Sequence, residues 1–363
     1  MSKRSEQAIA LLKKYQQTAN ILLKNYLAKE EKKARQIDEL AAELLAVIRK
    51  FILSGGKRLR PTLIYYAYLA AGGSRRQKKR IETASLSIEF VHAFLLIHDD
   101  IIDKDNCRHG VDTVHYYYQK QAKKRFAKNV DHLHFGHSLA IIAGDLSYAL
   151  ANDILLASRF EEKIILRALR RLHQVVYEVI PGQMRDIVLS YRGKASEEEI
   201  MKVYEAKTAY YTFWAPISLG YILAGKKKVP KAFREYALCL GQAFQIRDDI
   251  LGIFGEEKKL GKPVGSDLEE GKQTLLVNYI FQKGSSEQKK TVQKILKKKQ
   301  KTKKDLEVFQ QMIKESGAWQ YSLKKSRELV EKANVALDKI DFVDPEAKIF
   351  FQGIAEYIIQ REV

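Results

Sequence analysis

Three aspartates fall within five positions, Asp99, Asp100 and Asp103, with Asp105 just beyond, at the end of the apolar run Phe94-Leu95-Leu96-Ile97. On a helix, positions 99 and 103 lie one turn apart and share a face. Carboxylates held that close repel one another and weaken a helix unless a cation neutralises them. A hard divalent cation does so, and Mg²⁺ favours a few carboxylates together with phosphate oxygens. Alone, the cluster also reads as an acidic helix end at the surface. A second one changes the balance. Gln245-Ile246-Arg247-Asp248-Asp249 again ends an apolar, helix-periodic run, and Gly261-Lys262-Pro263-Val264-Gly265-Ser266-Asp267 and Glu270-Gly271-Lys272 follow it. Two such helix ends could face each other across a cavity, each holding Mg²⁺ bridged by one diphosphate.

Cationic segments complete the charge pattern. Ser54-Gly55-Gly56-Lys57-Arg58-Leu59-Arg60-Pro61 is a glycine-rich turn before a helix that carries three cations. Glycine permits close backbone approach, while Lys and Arg bind phosphate as a point charge and as a fork. Arg108 and the pair Lys207-Thr208 add further phosphate donors. A lone Gly-Gly-Lys is more often a plain helix connection; beside two Asp-Asp clusters it forms a second anion pocket that needs no metal.

The elements that must position these groups read as helices almost throughout. Ile9, Leu12, Tyr15, Ala19 and Leu22 form one stripe, and Ile81, Ala84, Ile88, Val91 and Leu95 another. Strand-like alternation is missing. Glycine and proline breaks delimit roughly ten to twelve helices, and Pro181 and Pro216, inside helical patterns, should kink or split them. The expected fold is all-α, a single-domain helical bundle over residues 1–363 around a central cavity. With 46% hydrophobic residues and only six prolines, the 363-residue chain has ample core and shows no linker. Cys107 and Cys239 cannot make a disulfide framework, which points to a reducing cytoplasm. The amino terminus has no apolar signal region, and no uninterrupted run of eighteen apolar residues occurs, so no transmembrane segment is expected. The net charge of +20 sits largely in Lys-rich runs such as 226–228 and 297–301. Those read first as solvated surface.

With these motifs in order, the sequence resembles the trans-isoprenyl diphosphate synthases, the polyprenyl synthetase family. The resemblance spans about residues 50–280 and is carried by GGKRLRP, HDDIIDKD, AGDLSYALA, PGQMRDI, KT at 207–208, GQAFQIRDDILGIFG and GKPVGSDLEEGK. It implies an isoprenoid-synthase bundle, a homodimer, and Mg²⁺ as cofactor, two to three ions per site with Mn²⁺ as a substitute. Metal would be held by Asp99, Asp100 and Asp103 of the first motif and by Asp248 and Asp249 of the second. Catalytic roles fall to these aspartates with Arg108, Lys207 and Lys262. The allylic diphosphate would meet Arg108, Lys207, Thr208, Gln245, Lys262 and Lys272, and isopentenyl diphosphate would meet Lys57, Arg60, His92 and His109. Gln183 and Thr208 would line the space near the reacting carbons. A peripheral membrane contact for product release completes the expected partners, and nucleic acid is not among them, since acidic clusters repel phosphate unless metal intervenes.

Two positions depart from the family pattern. His109 stands where a second arginine is usual, which would weaken isopentenyl diphosphate binding or make it pH-dependent. Gly252 stands where many short-chain relatives carry a third aspartate. Chain growth in this fold runs below the first motif, where Phe94 lies five residues before Asp99, about 7.5 Å down the helix. Phe90 lies one turn further and Leu95 is aliphatic. Phe90, Phe94 and Leu95 are therefore the chain-length residues, and the pattern resembles archaeal-type geranylgeranyl diphosphate synthases, with a C20 main product and C15 next. The alternative for both phenylalanines is ordinary core packing. A class I terpene cyclase would need neither the cationic turn nor the second Asp-Asp motif, and a non-catalytic subunit would be expected to lose aspartates from one motif.

Overall fold

A computed structural model of the chain describes residues 2–126, 129–255, 264–298 and 300–360. These are helical almost throughout, and the one sheet among them is a two-residue hairpin. The described residues divide into two compact units. One holds residues 10–170 and 219–226; the other holds residues 1–9, 171–218 and 227–363.

In the first unit, α1 (Lys3–Arg35, most of which lies here), α2 (Glu39–Leu53) and α3 (Leu59–Ala70) precede a pair of near-continuous helices, α4 (Lys78–Ser85) and α5 (Ser87–Asp103). Then come the hairpin, α6 (Val114–Arg125), α7 (His132–Leu156) and the start of α8 (Glu162–Arg192). Helix α5 packs along α7 and also meets α2 and α3. Its periodic Ile88, Val91 and Ile97 are fully enclosed, and each such side chain contributes roughly 1.5–3 kcal/mol of burial. Helix α7 begins at Asp131, whose carboxylate accepts the His134 N–H at 2.9 Å, satisfying one orphan donor of its first turn.

In the second unit, α9 (Glu197–Val203) runs into an eleven-residue π-helical segment, Tyr204–Trp214, and then α10 (Ala215–Leu223). Helix α11 (Lys231–Phe254) follows. Beyond it lie α12 (Ser266–Glu269), α13 (Leu275–Lys283), α14 (Ser286–Leu296), α15 (Lys303–Glu315), α16 (Ala318–Leu337) and α17 (Pro345–Gln360). Helix α11 packs on α16 and on the π segment. Around it Phe233, Tyr236, Phe350 and Phe351 form an aromatic cluster with 0% exposure. Capping boxes at Ser196/Glu199, Ser285/Gln288 and Thr302/Asp305 start α9, α14 and α15.

Neither proline splits the helical run that contains it. Helix α8 continues through Pro181, and Pro216 stands just past the π segment, near the start of α10. Lacking an N–H, Pro216 cannot bond back to an earlier carbonyl, and the register changes beside it without a break. Two helical stretches, Arg75–Asp103 and His132–Leu156, also have the length and apolarity of membrane spans, with mean hydropathies of 1.3 and 1.5. Counting uninterrupted apolar residues overlooks them because isolated polar residues punctuate both. The protein itself buries 67% of the most apolar window of the first and 44% of the second.

Candidate active site

Helix α5 carries no Lys or Arg in its last turn. Its C-terminus already has the negative end of the helix dipole, roughly half an elementary charge, and three aspartates add to it. Lys104, in the left-handed conformation at φ +60°, closes the helix, and the Asp105 N–H bonds back to the Asp100 carbonyl at 3.0 Å. The chain then reverses through β1 (Cys107–Arg108) and β2 (Val111–Asp112), paired antiparallel. The turn between them is His109-Gly110, with φ values of +51° and +75°. Positive φ at both central residues is the type I′ pattern, which matches the twist of a tight hairpin. Histidine tolerates that region better than most side chains.

This turn folds Arg108 back onto the helix end. Its Nε donates to Asp100 Oδ1 at 2.7 Å, and its guanidinium reaches Asp105 Oδ2 at 3.3 Å. Asp100 is 0% exposed, and its Oδ2 has no hydrogen-bond partner among the described residues. Burial pushes its carboxyl up to about 7 against the pull of Arg108. Asp99 and Asp103 keep accessible surface. The three predicted metal carboxylates thus divide: Asp99 and Asp103, one turn apart, are half-buried, and Asp100 is enclosed and holds Arg108.

The cationic turn divides in the same way. Gly56 takes φ +102° and Arg58 φ +53°. Arg58 turns inward to Glu89 Oε2 at 2.7 Å, Asn20 Oδ1 at 2.8 Å and the Ile52 carbonyl at 2.6 Å. It braces the turn, in which Lys57 is exposed and Arg60 is half-buried. A Cβ at Gly55 would stand 2.8 Å from the His109 ring, so the turn and the hairpin meet at that glycine. His92, on α5, is held well below its usual pKa by burial first and then by Arg60, Arg108, Arg58 and His109. Burial lowers His109 as well, followed by Arg108 and Arg58. A neutral imidazole ringed by cations is a setting that favours an anion. Lys57, Arg60, His92, Arg108 and His109, spread over more than fifty positions, are gathered in one unit.

In the second unit the π segment brings Thr208 to α11 and Lys207 to α8. Thr208 Oγ1 donates to Gln245 Oε1 at 2.6 Å, and Gln245 Nε2 donates to Asp249 Oδ1 at 2.8 Å. The Tyr204 hydroxyl donates to Asp249 Oδ2 and accepts the Leu275 N–H at 3.0 Å. Lys207 Nζ lies 2.9 Å from Asp186 on α8. These approaches need glycine. A Cβ at Gly182 would stand 2.7 Å from the Lys207 nitrogen, and one at Gly241 only 2.3 Å from Ala209 Cα.

Asp249 is 5% exposed; burial first, then the charge of Asp267, pushes it up to about 7. Asp248 keeps accessible surface. Each motif therefore has the same build, a half-buried aspartate followed by an enclosed one that organises its neighbours. Lys272 lies 2.7 Å from Glu270 and 3.4 Å from Asp267. Lys262 falls outside the described residues.

The chain-length candidates separate too. Phe90 has 0% exposure and packs edge-on to Tyr26 at 5.4 Å. Phe94 keeps accessible surface between His98, at 5.0 Å, and Tyr148, at 5.2 Å. Leu95 is half-buried. Sequence reasoning missed Tyr204, Asp186, the inward role of Arg58 and the hairpin. For the hairpin a signal existed in His109-Gly110, a pair suited to positive φ. Nothing local marks a tyrosine as a bridge.

The donors at the two acidic helix ends are all oxygens, which suits a hard divalent cation. The Polyprenyl synthetase family model matches residues 41–313. The chain is 34% identical over 333 residues to the geranylgeranyl pyrophosphate synthase of Geoglobus acetivorans, covering 90% of this chain and 95% of that one. It is 32% identical to the geranylfarnesyl diphosphate synthase of Aeropyrum pernix, covering 89% and 95%. A crystal structure of geranylgeranyl pyrophosphate synthase from Corynebacterium glutamicum, complexed with isoprenyl diphosphate and magnesium, superposes with a TM-score of 0.90. It is 32% identical, with 97% and 99% of the two chains covered.

Proposed function

The chain belongs to the polyprenyl synthetase family, and from that premise we propose how this prenyltransferase works. It is a short-chain trans-prenyl diphosphate synthase that joins isopentenyl diphosphate to allylic diphosphates, with geranylgeranyl diphosphate as main product. The observation that carries the reading is the gathering of Arg60, Arg108, Arg58 and His109 about neutral His92, on the helix that also carries the half-buried Asp99 and Asp103. One anion pocket needs no metal, and the neighbouring one is built of oxygen donors.

Asp99, Asp103 and Asp248 would hold Mg²⁺, which supplies Lewis-acid stabilisation of the departing diphosphate when bound. Asp100 keeps the Arg108 fork aimed, so that charge developing on an allylic diphosphate meets a positioned donor. Lys207, now paired with Asp186, provides a second cation, and Thr208 and Gln245 fix its surroundings. Lys57, Arg60, His92 and His109 hold the diphosphate of isopentenyl diphosphate. The allylic C–O bond breaks with its electron pair leaving on the diphosphate. The isopentenyl double bond then attacks the cation, and a proton is lost to a diphosphate oxygen. Apolar packing above the acidic ends excludes the water that would quench the cation.

Phe94, which retains open surface, sets the floor for the growing chain, with Phe90 as support behind it. Two copies pair through α7, whose outer face shows Ile141, Ile142 and Leu156 at 48–56% exposure. A cytoplasmic setting suits the two unpaired cysteines.

The test is incorporation of labelled isopentenyl diphosphate with dimethylallyl, geranyl or farnesyl diphosphate in Mg²⁺, with the alcohols separated after dephosphorylation. A dominant C20 alcohol that disappears in Asp99→Ala supports the reading. A different length keeps the enzyme and rejects the Phe94 floor. No Mg²⁺-dependent incorporation with any primer rejects catalysis.

A further inference from the structure

Helix α1 lies outside the residues matched by the family model, which begin at position 41, and it carries none of the acidic or cationic motifs. Yet it grips the cationic turn at two points. Gln16 Nε2 donates to the Gly56 carbonyl at 2.7 Å, and Asn20 Oδ1 accepts from Arg58 Nε at 2.8 Å. The two amides stand one turn apart on one face of the helix. Their orientation is forced, because a carbonyl only accepts and a guanidinium only donates. Tyr15 and Ala19, beside them in sequence, are enclosed. The Tyr15 ring meets Tyr65 of α3 at 4.7 Å, and its hydroxyl shares a 2.7 Å hydrogen bond with Ser85 of α4. Helix α1 is thus fixed by contacts other than the turn it holds.

The turn needs such holding. Gly56 at φ +102° and Arg58 at φ +53° both take left-handed backbone, which persists in a non-glycine residue only when its surroundings over-determine it. Glu89 and the Ile52 carbonyl share with Asn20 the task of fixing the Arg58 guanidinium. Gln16 acts on the backbone itself. The peptide joining Gly56 to Lys57 is planar and trans, so drawing its carbonyl toward α1 points the Lys57 N–H the opposite way. The directions in which Lys57 and Arg60 leave the turn follow from this backbone.

We propose that Gln16 and Asn20 are positioning residues for isopentenyl diphosphate, which act through Gly56 and Arg58 to aim Lys57 and Arg60 at its diphosphate. The inference rests on the reading of the turn given above.

The test is steady-state kinetics of the full chain in Mg²⁺, varying labelled isopentenyl diphosphate at saturating farnesyl diphosphate and then the reverse. Melting temperatures accompany each variant. Gln16→Ala and Asn20→Ala should each raise KM for isopentenyl diphosphate about fivefold to tenfold, the worth of one hydrogen bond. Turnover and the farnesyl diphosphate KM should stay within about twofold. Asn20→Asp, which keeps the acceptor for Arg58, should recover the parent KM to within about twofold. In a Lys57→Ala background Gln16→Ala should add little further, because its effect passes through Lys57. Tyr15→Phe removes a bond that α1 makes away from the turn; it should lower the melting temperature and leave that KM unchanged. An isopentenyl diphosphate KM unchanged in the protein carrying both Gln16→Ala and Asn20→Ala would overturn the proposal. So would a rise shared equally by both substrates, or one that Tyr15→Phe reproduces, since either marks a loss of fold rather than of aim. If Lys57→Ala itself leaves that KM unchanged, the reading of the turn has failed, and this is seen before α1 is touched.

Discussion

Replacing Tyr204 by phenylalanine removes one oxygen atom that does two jobs. Its hydroxyl donates to Asp249 and accepts the Leu275 N–H at 3.0 Å, and Tyr204 is only 4% exposed. Losing a hydrogen bond to a charged group costs roughly 1.5–3 kcal/mol, and leaving the buried Leu275 N–H unpaired costs about 1–3 kcal/mol. The expected loss is therefore about 3–5 kcal/mol. Tyr236→Phe is the natural control, because its hydroxyl makes a single neutral bond, to the Phe351 carbonyl at 2.7 Å. That change should cost about 1 kcal/mol. The measurement is urea unfolding followed by circular dichroism at pH 8 in EDTA, with the slope of the transition compared between variants. Activity should fall as well, because Asp249 anchors Gln245 and through it Thr208. If Tyr204→Phe costs no more than Tyr236→Phe, the hydroxyl is not a bridge between α11 and α13, and the arrangement of the second motif needs another explanation.

Phe94→Ala should shift the product distribution beyond C20, whereas Phe90→Ala, which empties a site with no open surface, should cost about 3–5 kcal/mol of stability; product chromatography and unfolding curves separate the two. His115 is buried, and burial and then His137 lower its pKa to about 4. The unfolded chain binds a proton there near 6.5, so stability is lost as pH falls from 6.5 toward 4; allowing for solvent screening, His115→Gln should spare about 1–2 kcal/mol of that loss in melts at pH 7.5 and 4.5. Lys104→Gly should stabilise the end of α5 by about 1 kcal/mol, since φ +60° suits glycine; an unchanged or lower unfolding free energy would refute that. Ile141→Glu should leave the enzyme monomeric by light scattering if α7 carries the pairing face.

The sequence by itself was enough to pick out the two acidic helix ends. Aspartates at 99 and 103, or adjacent at 248 and 249, closing apolar helical stripes stand out in the sequence, because helical periodicity and like-charge repulsion are both local. Helix positions followed for the same reason: glycine, proline and cap residues act within a turn of themselves. What it could not yield was the role of each member of a motif. Asp99 and Asp100 are neighbours of one type, yet one is half-buried and the other enclosed against Arg108. Lys57, Arg58 and Arg60 form one basic run, yet Arg58 turns inward to Glu89. Gly252 reads as a missing aspartate, and only the fold shows that the Asp267 carboxylate lies against it. Burial and pairing depend on which distant backbone comes close, and that is settled by the packing of whole helices rather than by any window of residues. The π segment at Tyr204–Trp214 belongs to the same class. Its register holds Lys207 and Thr208 against α8 and α11, and nothing in its local composition requires it.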